Sequence, residues 1–242
     1  MAVPEGQSPS MQLRDTQTRR EGGCHTFVVA TRLGAGGPVR MRSYRTRDDH
    51  PFPACIWEVA RATSAALTYF LPIEINKVIY GDGGAGFNNP TNEALLEARN
   101  IWPDRPIGIV VSLGTGLQMS LQLKDDGSNS AVPKLAQSLL EYTAPRYKFQ
   151  LLAAEYAAKC LTNCELIHRD VTERSERDVL QGNYFRLNVS EEGMARIGLA
   201  EWEKLDELRA MTDSYMTHPD KRRYKRRIAE LLRNPECAIE SQ

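Results

Sequence analysis

The sequence predicts an α/β fold, a mainly parallel sheet with helices on both faces in a three-layer α/β/α sandwich. Three observations carry that prediction. Short apolar runs of β-branched and aromatic residues recur at 26–31, 75–80 and 107–113, the composition of strands buried on both faces. Between the first two, the apolar spacing turns helical, with Ile56, Trp57, Ala60, Ser64 and Leu67 three to four residues apart. Between the second and third, Asn89 followed by Pro90 reads as an N-cap and a first-turn proline, a strong helix start. Strand, helix, strand with wholly apolar strands is the pattern of parallel pairing.

Taken in order, residues 1–22 are polar, hold Pro, Gly, Ser and Gln, show no hydrophobic period and are expected to be disordered. Thr26-Phe27-Val28-Val29-Ala30-Thr31 is the first strand. Residues 33–53 are rich in Gly, Pro and Arg and read as a surface loop with one short strand around Val39–Tyr44, its arginines facing water. Residues 54–67 form the first helix, ended by Pro72. Residues 75–80 form one continuous strand, and Gly81–Gly86 a turn. The next helix buries Ala94, Leu95, Ala98 and Ile101 and stops at Pro103; residues 107–113 then form a strand closing on Gly114-Thr115-Gly116. The remainder reads as helices over 134–142, 146–161 and 190–215 with a strand over 184–189. The domain expected is 23–217, followed by a basic helix and tail over 218–242.

Composition excludes several classes. Lys+Arg and Asp+Glu both total 31 in 242 residues, so no global field points to a nucleic-acid partner. The basic residues cluster nevertheless: eight arginines lie between residues 11 and 50, and Lys221-Arg222-Arg223-Tyr224-Lys225-Arg226-Arg227 forms a second run. In that second run, Tyr224, Ile228, Leu231 and Leu232 make a helical apolar face opposite Lys221, Arg222, Lys225 and Arg226. Such a helix packs on the domain, or else contacts an anionic membrane peripherally. The five cysteines are odd in number and scattered, no secretory h-region opens the chain, and no apolar stretch is long enough to span a membrane. A cytoplasmic protein with no metal and no cofactor is expected.

Ligand sites in open α/β sheets lie at the carboxyl ends of strands, and Asp82 follows the run 75–80 directly. The letters Gly81-Asp82-Gly83-Gly84-Ala85-Gly86 also match the dinucleotide fingerprint G-x-G-x-x-G. That reading fails on three counts. Phe87-Asn88-Asn89-Pro90 intervenes before the helix, no acidic residue ends the next strand, and an aspartate inside the loop repels a pyrophosphate. By spacing alone Asp82 is a turn residue capping its own backbone.

The extended pattern adds a resemblance. Thr26–Thr31, Glu58-Val59-Ala60-Arg61-Ala62-Thr63-Ser64-Ala65-Ala66, Gly81-Asp82-Gly83-Gly84, Asn88-Asn89-Pro90, Glu93-Ala94, Glu97-Ala98-Arg99 and Ser112-Leu113-Gly114-Thr115-Gly116 occur in the order found in patatin-like phospholipases. These blocks cover roughly residues 24–118; the segments 184–189 and 202–215 are similar to that family's C-terminal part less specifically. Leu67 departs from the pattern, standing where such proteins commonly carry proline. The resemblance implies a lipid or phospholipid substrate, ester hydrolysis by a Ser–Asp dyad, and Asp82, in the motif Asp82-Gly83-Gly84, as the general base. Ser64, Asn88, Asn89, Ser112, Gly114, Thr115 and Gly116 are candidates to line the site.

The family's nucleophile sits in G-x-S-x-G after a glycine-rich oxyanion loop, both ahead of the strand matching residues 27–30. None of the thirteen serines here has glycine two residues away on both sides. The nearest, Ser8 in Gly6-Gln7-Ser8-Pro9-Ser10, is followed by a proline with no N–H to offer an oxyanion. The four histidines pair with no acidic motif. The expectation is an N-terminally incomplete domain carrying the aspartate half of the machinery, inactive alone, or a degenerate relative. Such a fragment leaves residues 27–30 as an open sheet edge and is poorly soluble. The alternative is a non-catalytic pseudoenzyme or interaction module on the same scaffold.

Overall fold

The computed structural model describes residues 11–13, 24–34, 37–66, 69–84, 86–116, 163–177, 182–190, 197–198 and 200–234. The chain divides into two compact units, Met1–Asp104 and Arg105–Gln242, each mixing helices and strands. The helices expected over 134–142 and 146–161, and the disordered segment expected over 1–22 apart from residues 11–13, lie outside the described residues.

The first unit is built on a four-stranded sheet in the order β2-β1-β4-β3, with β1 Phe27–Arg32, β2 Pro38–Arg42, β3 Ile73–Ile75 and β4 Val78–Asp82. Every pairing in it is antiparallel, which corrects the expected parallel sheet. The connections explain why. A short loop returns β1 onto β2 with Phe27 opposite Arg42 and Thr31 opposite Pro38, too few residues for a crossover. The stretch 75–80, read as one strand, is broken by a two-residue turn at Asn76 and Lys77, both at positive φ (51° and 65°), which folds β3 onto β4. The hairpin so formed then pairs its second strand with the free side of β1, Ala30 opposite Asp82 and Arg32 opposite Tyr80. Over Ala30–Arg32, therefore, β1 is an inner strand; of the edge expected over residues 27–30 only Ala30 is filled, and Phe27–Val29 pair with β2 alone among the described strands.

Alternation then decides what meets each face. Val28 and Ala30 of β1, Val39 and Met41 of β2, Ile73 and Ile75 of β3 and Val78 and Tyr80 of β4 pack with Val59 and Ala62 of helix α1, Ile56–Thr63. The Phe52 ring meets Tyr80 edge-on at 5.8 Å. At the start of α1, Glu58 Oε2 accepts the Cys55 N–H at 2.7 Å, satisfying a donor the helix leaves open.

Helix α2, Thr91–Ile101, meets the sheet differently from expectation. Its buried residues are Thr91, Glu93 and Glu97, whereas Ala94 is exposed and Leu95, Ala98 and Ile101 are half-buried. Charge pairing replaces the apolar stripe. Arg40 Nε donates to Glu93 Oε2 at 2.8 Å, and Arg42 binds Glu97 through Nε and, at 2.9 Å, through Nη2. Arg40 Nη1 and Tyr44 Oη also donate to Glu97, at 3.4 and 2.8 Å. Arg40 and Arg42 alternate with Met41, so they leave β2 on the face away from α1. This corrects the placement of those arginines in water.

The second unit pairs β5 (Val110–Leu113) with β6 (Tyr184–Leu187) in parallel, Val110 opposite Tyr184. Helix α3, Cys164–Arg177, was not anticipated from the sequence. The helix expected over 190–215 begins only at Leu205: a 3-10 turn, Trp202–Lys204, precedes helix α4, Leu205–Thr217. Helix α5, Pro219–Arg233, is the basic one. Leu231 and Ile228 pack with Phe185 and Ile109, Tyr224 lies edge-on to Phe185 at 5.7 Å, and Arg222, Arg223, Lys225 and Arg226 are exposed. Its apolar face is thus partly spent inside the unit, with Leu232 left exposed at 64%. No described helix is long and apolar enough to cross a membrane.

Candidate functional site

Asp82 is the last residue of β4, half-buried, on the face that carries α1. Its backbone is held on both sides: its N–H donates to Ala65 O at 3.3 Å, and its carbonyl accepts the Thr31 hydroxyl at 2.9 Å. Its side chain is held as well, Oδ1 accepting the Gly84 N–H at 2.7 Å. The chain then folds over itself, Phe87 N–H donating to Gly83 O and Gly86 N–H to Gly84 O, each at 2.9 Å. This is the self-capping turn that spacing alone suggests, and it also fixes a carboxylate at a strand end.

Gly83 is buried, and a Cβ there would stand 2.6 Å from Val29 O and 3.2 Å from Val29 C. The obstacle is backbone of an inner strand, whose carbonyl also accepts the Thr63 hydroxyl at 2.7 Å. Gly83→Ala is expected to cost about 1–3 kcal/mol and to move Asp82. Gly81→Ala is the control, since its Cβ would meet only the Leu33 side chain, at 3.6 Å. Thermal melts of the two variants check this; equal melting points would contradict it.

The other candidates of the first unit fall into two groups. Ser64 ends α1 beside Ala65, exposed, and its hydroxyl donates to Ala60 O at 2.7 Å. Asn89 is buried and serves the start of α2, its Oδ1 accepting the Thr91 N–H at 3.2 Å and the Thr91 hydroxyl at 2.6 Å. Helix α2 has Pro90 as its N-cap, one residue later than expected. Asn88 is exposed on the loop between the Asp82 turn and this cap.

Ser112, Gly114, Thr115 and Gly116 belong to the second unit, at the carboxyl end of β5. Ser112 is buried and its Oγ accepts Arg186 Nη1 at 2.9 Å. Gly114 N–H donates to Leu187 O at 2.8 Å, and Gly116 N–H to Asn188 Oδ1 at 2.8 Å. A Cβ on Gly114 would fall 2.2 Å from Asn188 Oδ1 and 2.6 Å from Arg186 Nη2, so a larger residue there would have to displace these side chains. Asn188 in turn donates to Glu165 Oε1 at 3.0 Å. Thr115 is exposed.

Sequence reasoning missed Thr31, Thr63 and Ala65, which brace the Asp82 turn. Their bonds join residues from 17 to 51 positions apart, for example Thr31 to Asp82. No local pattern announces such bonds. Among the described residues no group of three or more His, Cys, Asp or Glu side chains gathers as a metal cluster would need.

An aspartate fixed at a strand end beside a glycine turn accepts protons or caps backbone, and relatives decide which chemistry it is compared with. No family model matches the chain. It is 46% identical over 61 residues to rat calcium-independent phospholipase A2-gamma, and 43% identical over 61 residues to the human protein of that name. It is 39% identical over 94 residues to Phospholipase A I of Arabidopsis thaliana. The chain is similar to phospholipases. The rat and human matches cover 25% of this chain and 8% of each relative, and the plant match 39% and 7%. The chain therefore spans less than a tenth of the length of these relatives, and the likeness supports the patatin-like resemblance over a limited stretch.

Proposed function

We propose that this chain carries the aspartate half of a lipid acyl hydrolase, with Asp82 as the general base of a Ser–Asp dyad. The observation that carries the reading is the Asp82-Gly83-Gly84 turn. There a carboxylate sits at the end of a paired strand, its backbone braced on both sides, in a chain similar to phospholipases. In the dyad, the carboxylate takes the proton of a serine hydroxyl as its oxygen attacks the ester carbonyl of the lipid. The alcohol leaves, and water then releases the acyl group. The wider scaffold in this reading is a three-layer sandwich over 23–217. Helix α1 on one sheet face and the α2 carboxylates against the arginines of the other support it.

The 242 residues supply no G-x-S-x-G, and the two serines that are candidates to line the site are committed elsewhere: Ser64 donates to Ala60 O, and the buried Ser112 accepts from Arg186. Among the described residues the chain offers the base and no activated nucleophile. That same observation favours the second reading, a non-catalytic module on this scaffold. A fluorophosphonate probe is expected to leave the purified chain unlabelled. Stoichiometric labelling of one serine, abolished by Asp82→Asn, would mean that the chain carries a nucleophile of its own.

A further inference from the structure

Five side chains at one end of the first unit are left unused by the proposed chemistry. Trp57 and Arg61 stand one turn apart on α1, and Tyr69, Phe70 and Leu71 follow on the segment between α1 and β3. Four of the five are large and apolar, and all four are exposed, Leu71 at 81%, Phe70 at 56%, Trp57 at 55% and Tyr69 at 48%. These are no scattered surface residues. The Arg61 guanidinium lies over the Phe70 ring at 5.2 Å, and its Nη2 donates to Leu71 O at 2.6 Å. Tyr69 and Phe70 N–H groups both donate to Ala66 O. The apolar segment is thereby fixed to the helix end and held outward.

We infer that this surface docks the chain on a phospholipid bilayer. The inference deepens the hydrolase reading and rests on it for the choice of lipid over other apolar partners. Three further observations favour a bilayer. Trp, Tyr and Phe beside an arginine is the mixture that partitions to the membrane interface, with rings at the headgroup level and the guanidinium among phosphates. The charge suits that surface. Glu58, the sole acid between residues 57 and 72, is turned back onto the Cys55 N–H, and among the described residues no acidic side chain pairs with Arg61. Arg61 Nη1 is buried with no hydrogen-bond partner among the described residues, a demand that a headgroup phosphate oxygen meets. The patch also adjoins the candidate site in the chain, because Ala66 O, which anchors it, directly follows Ala65, whose carbonyl holds the Asp82 N–H. Docking here sets Asp82 close to the interface from which an ester would be drawn. The basic helix α5 belongs to the second unit and packs Leu231 and Ile228 there, leaving Tyr224 and Leu232 as its exposed apolar residues, so substitutions on α5 separate its part from that of the patch.

The test is partitioning of the chain onto vesicles of phosphatidylcholine, alone and mixed with phosphatidylserine, followed by flotation. The chain is expected to float with both, more strongly with the anionic mixture. Phe70→Asp with Leu71→Asp lowers partitioning about tenfold or more. Leu71→Asp alone, at a residue too exposed to disturb packing, lowers it in the same direction. In a chain carrying Trp102→Phe and Trp202→Phe, Trp57 emission shifts to the blue on binding. Replacing Arg222, Arg223, Lys225 and Arg226 by Gln leaves that shift in place. The inference is overturned if the double variant partitions within about twofold of the parent, if binding is lost only with the α5 substitutions, or if Trp57 does not respond. It is also overturned if the patch instead holds a second copy, seen as a sedimenting dimer that Leu71→Asp dissolves. Partitioning needs no turnover, so a chain that floats while a folded hybrid with a phospholipase serine half stays inactive leaves the docking face standing and removes only the hydrolase reading.

Discussion

Glu97→Ala is expected to destabilise the first unit by about 3–5 kcal/mol, the cost of breaking a buried ion pair from one side. Glu97 is only 2% exposed and receives hydrogen bonds from Arg42, Arg40 and Tyr44. Without it Arg42 keeps only Asp49 and Arg40 only Glu93 among their described acidic partners, and the buried Tyr44 hydroxyl loses this acceptor. The pair sits between β2 and α2, so its loss also frees the helix. Glu97→Gln keeps the volume and one acceptor and falls between the two. Burial opposes the charge on Glu97. Hydrogen bonds from Arg42 and Tyr44, with the positive charge of Arg42 and Arg40, outweigh burial and hold the carboxyl below its ordinary value. The same contacts raise the partners: the Glu97 hydrogen bond lifts Arg42, while burial and then Glu97 lift Tyr44. A carboxyl depressed by folding contributes stability above its unfolded pKa, about 4.3, and loses it as pH falls through the folded value. The parent should therefore weaken in acid along a limb that Glu97→Ala flattens. Denaturant titration of a Trp202→Phe chain, whose remaining tryptophans Trp57 and Trp102 both lie in the first unit, measures it. A loss under about 1 kcal/mol, the range of exposed pairs, would contradict the account.

That network shows where sequence reading stops. Residues 26–31 and 107–113 announce their strands by composition, and Asn89-Pro90 announces α2 to within a residue, because each signal is local. Glu93 and Glu97 look solvent-facing for the same reason: taken alone, a glutamate carries no sign that an arginine more than fifty residues away will cover it. Asn76-Lys77 hides its turn, since lysine at positive φ is not a residue the turn rules favour, and so the run 75–80 reads as unbroken. One missed turn changes the sheet from parallel to antiparallel. The Asp82-Gly83-Gly84 turn, by contrast, is legible as a turn, because Asp beside Gly is a local signal, whereas the contact with Val29 O that leaves no room for a Cβ at Gly83 is tertiary. Its bracing by Thr31, Thr63 and Ala65 is tertiary and leaves no trace in spacing.

The larger kinetic effect belongs to Asp82→Asn. Asparagine keeps the shape and the Oδ1 that accepts the Gly84 N–H, so the turn survives, but it does not take a proton from a serine hydroxyl. General-base catalysis is worth about 10²–10⁴ in rate, and an effect of that size needs a nucleophile to be visible. The decisive measurement is therefore made in a hybrid, with residues 24–116 of this chain replacing the corresponding segment of rat calcium-independent phospholipase A2-gamma. Hydrolysis of phospholipid vesicles is followed with Asp82 and with Asp82→Asn, alongside melting curves and vesicle partitioning. The account predicts an active hybrid whose rate falls about 10²–10⁴-fold on Asp82→Asn, with melting and partitioning unchanged. A folded hybrid that hydrolyses equally well with asparagine, or not at all with aspartate, would contradict it.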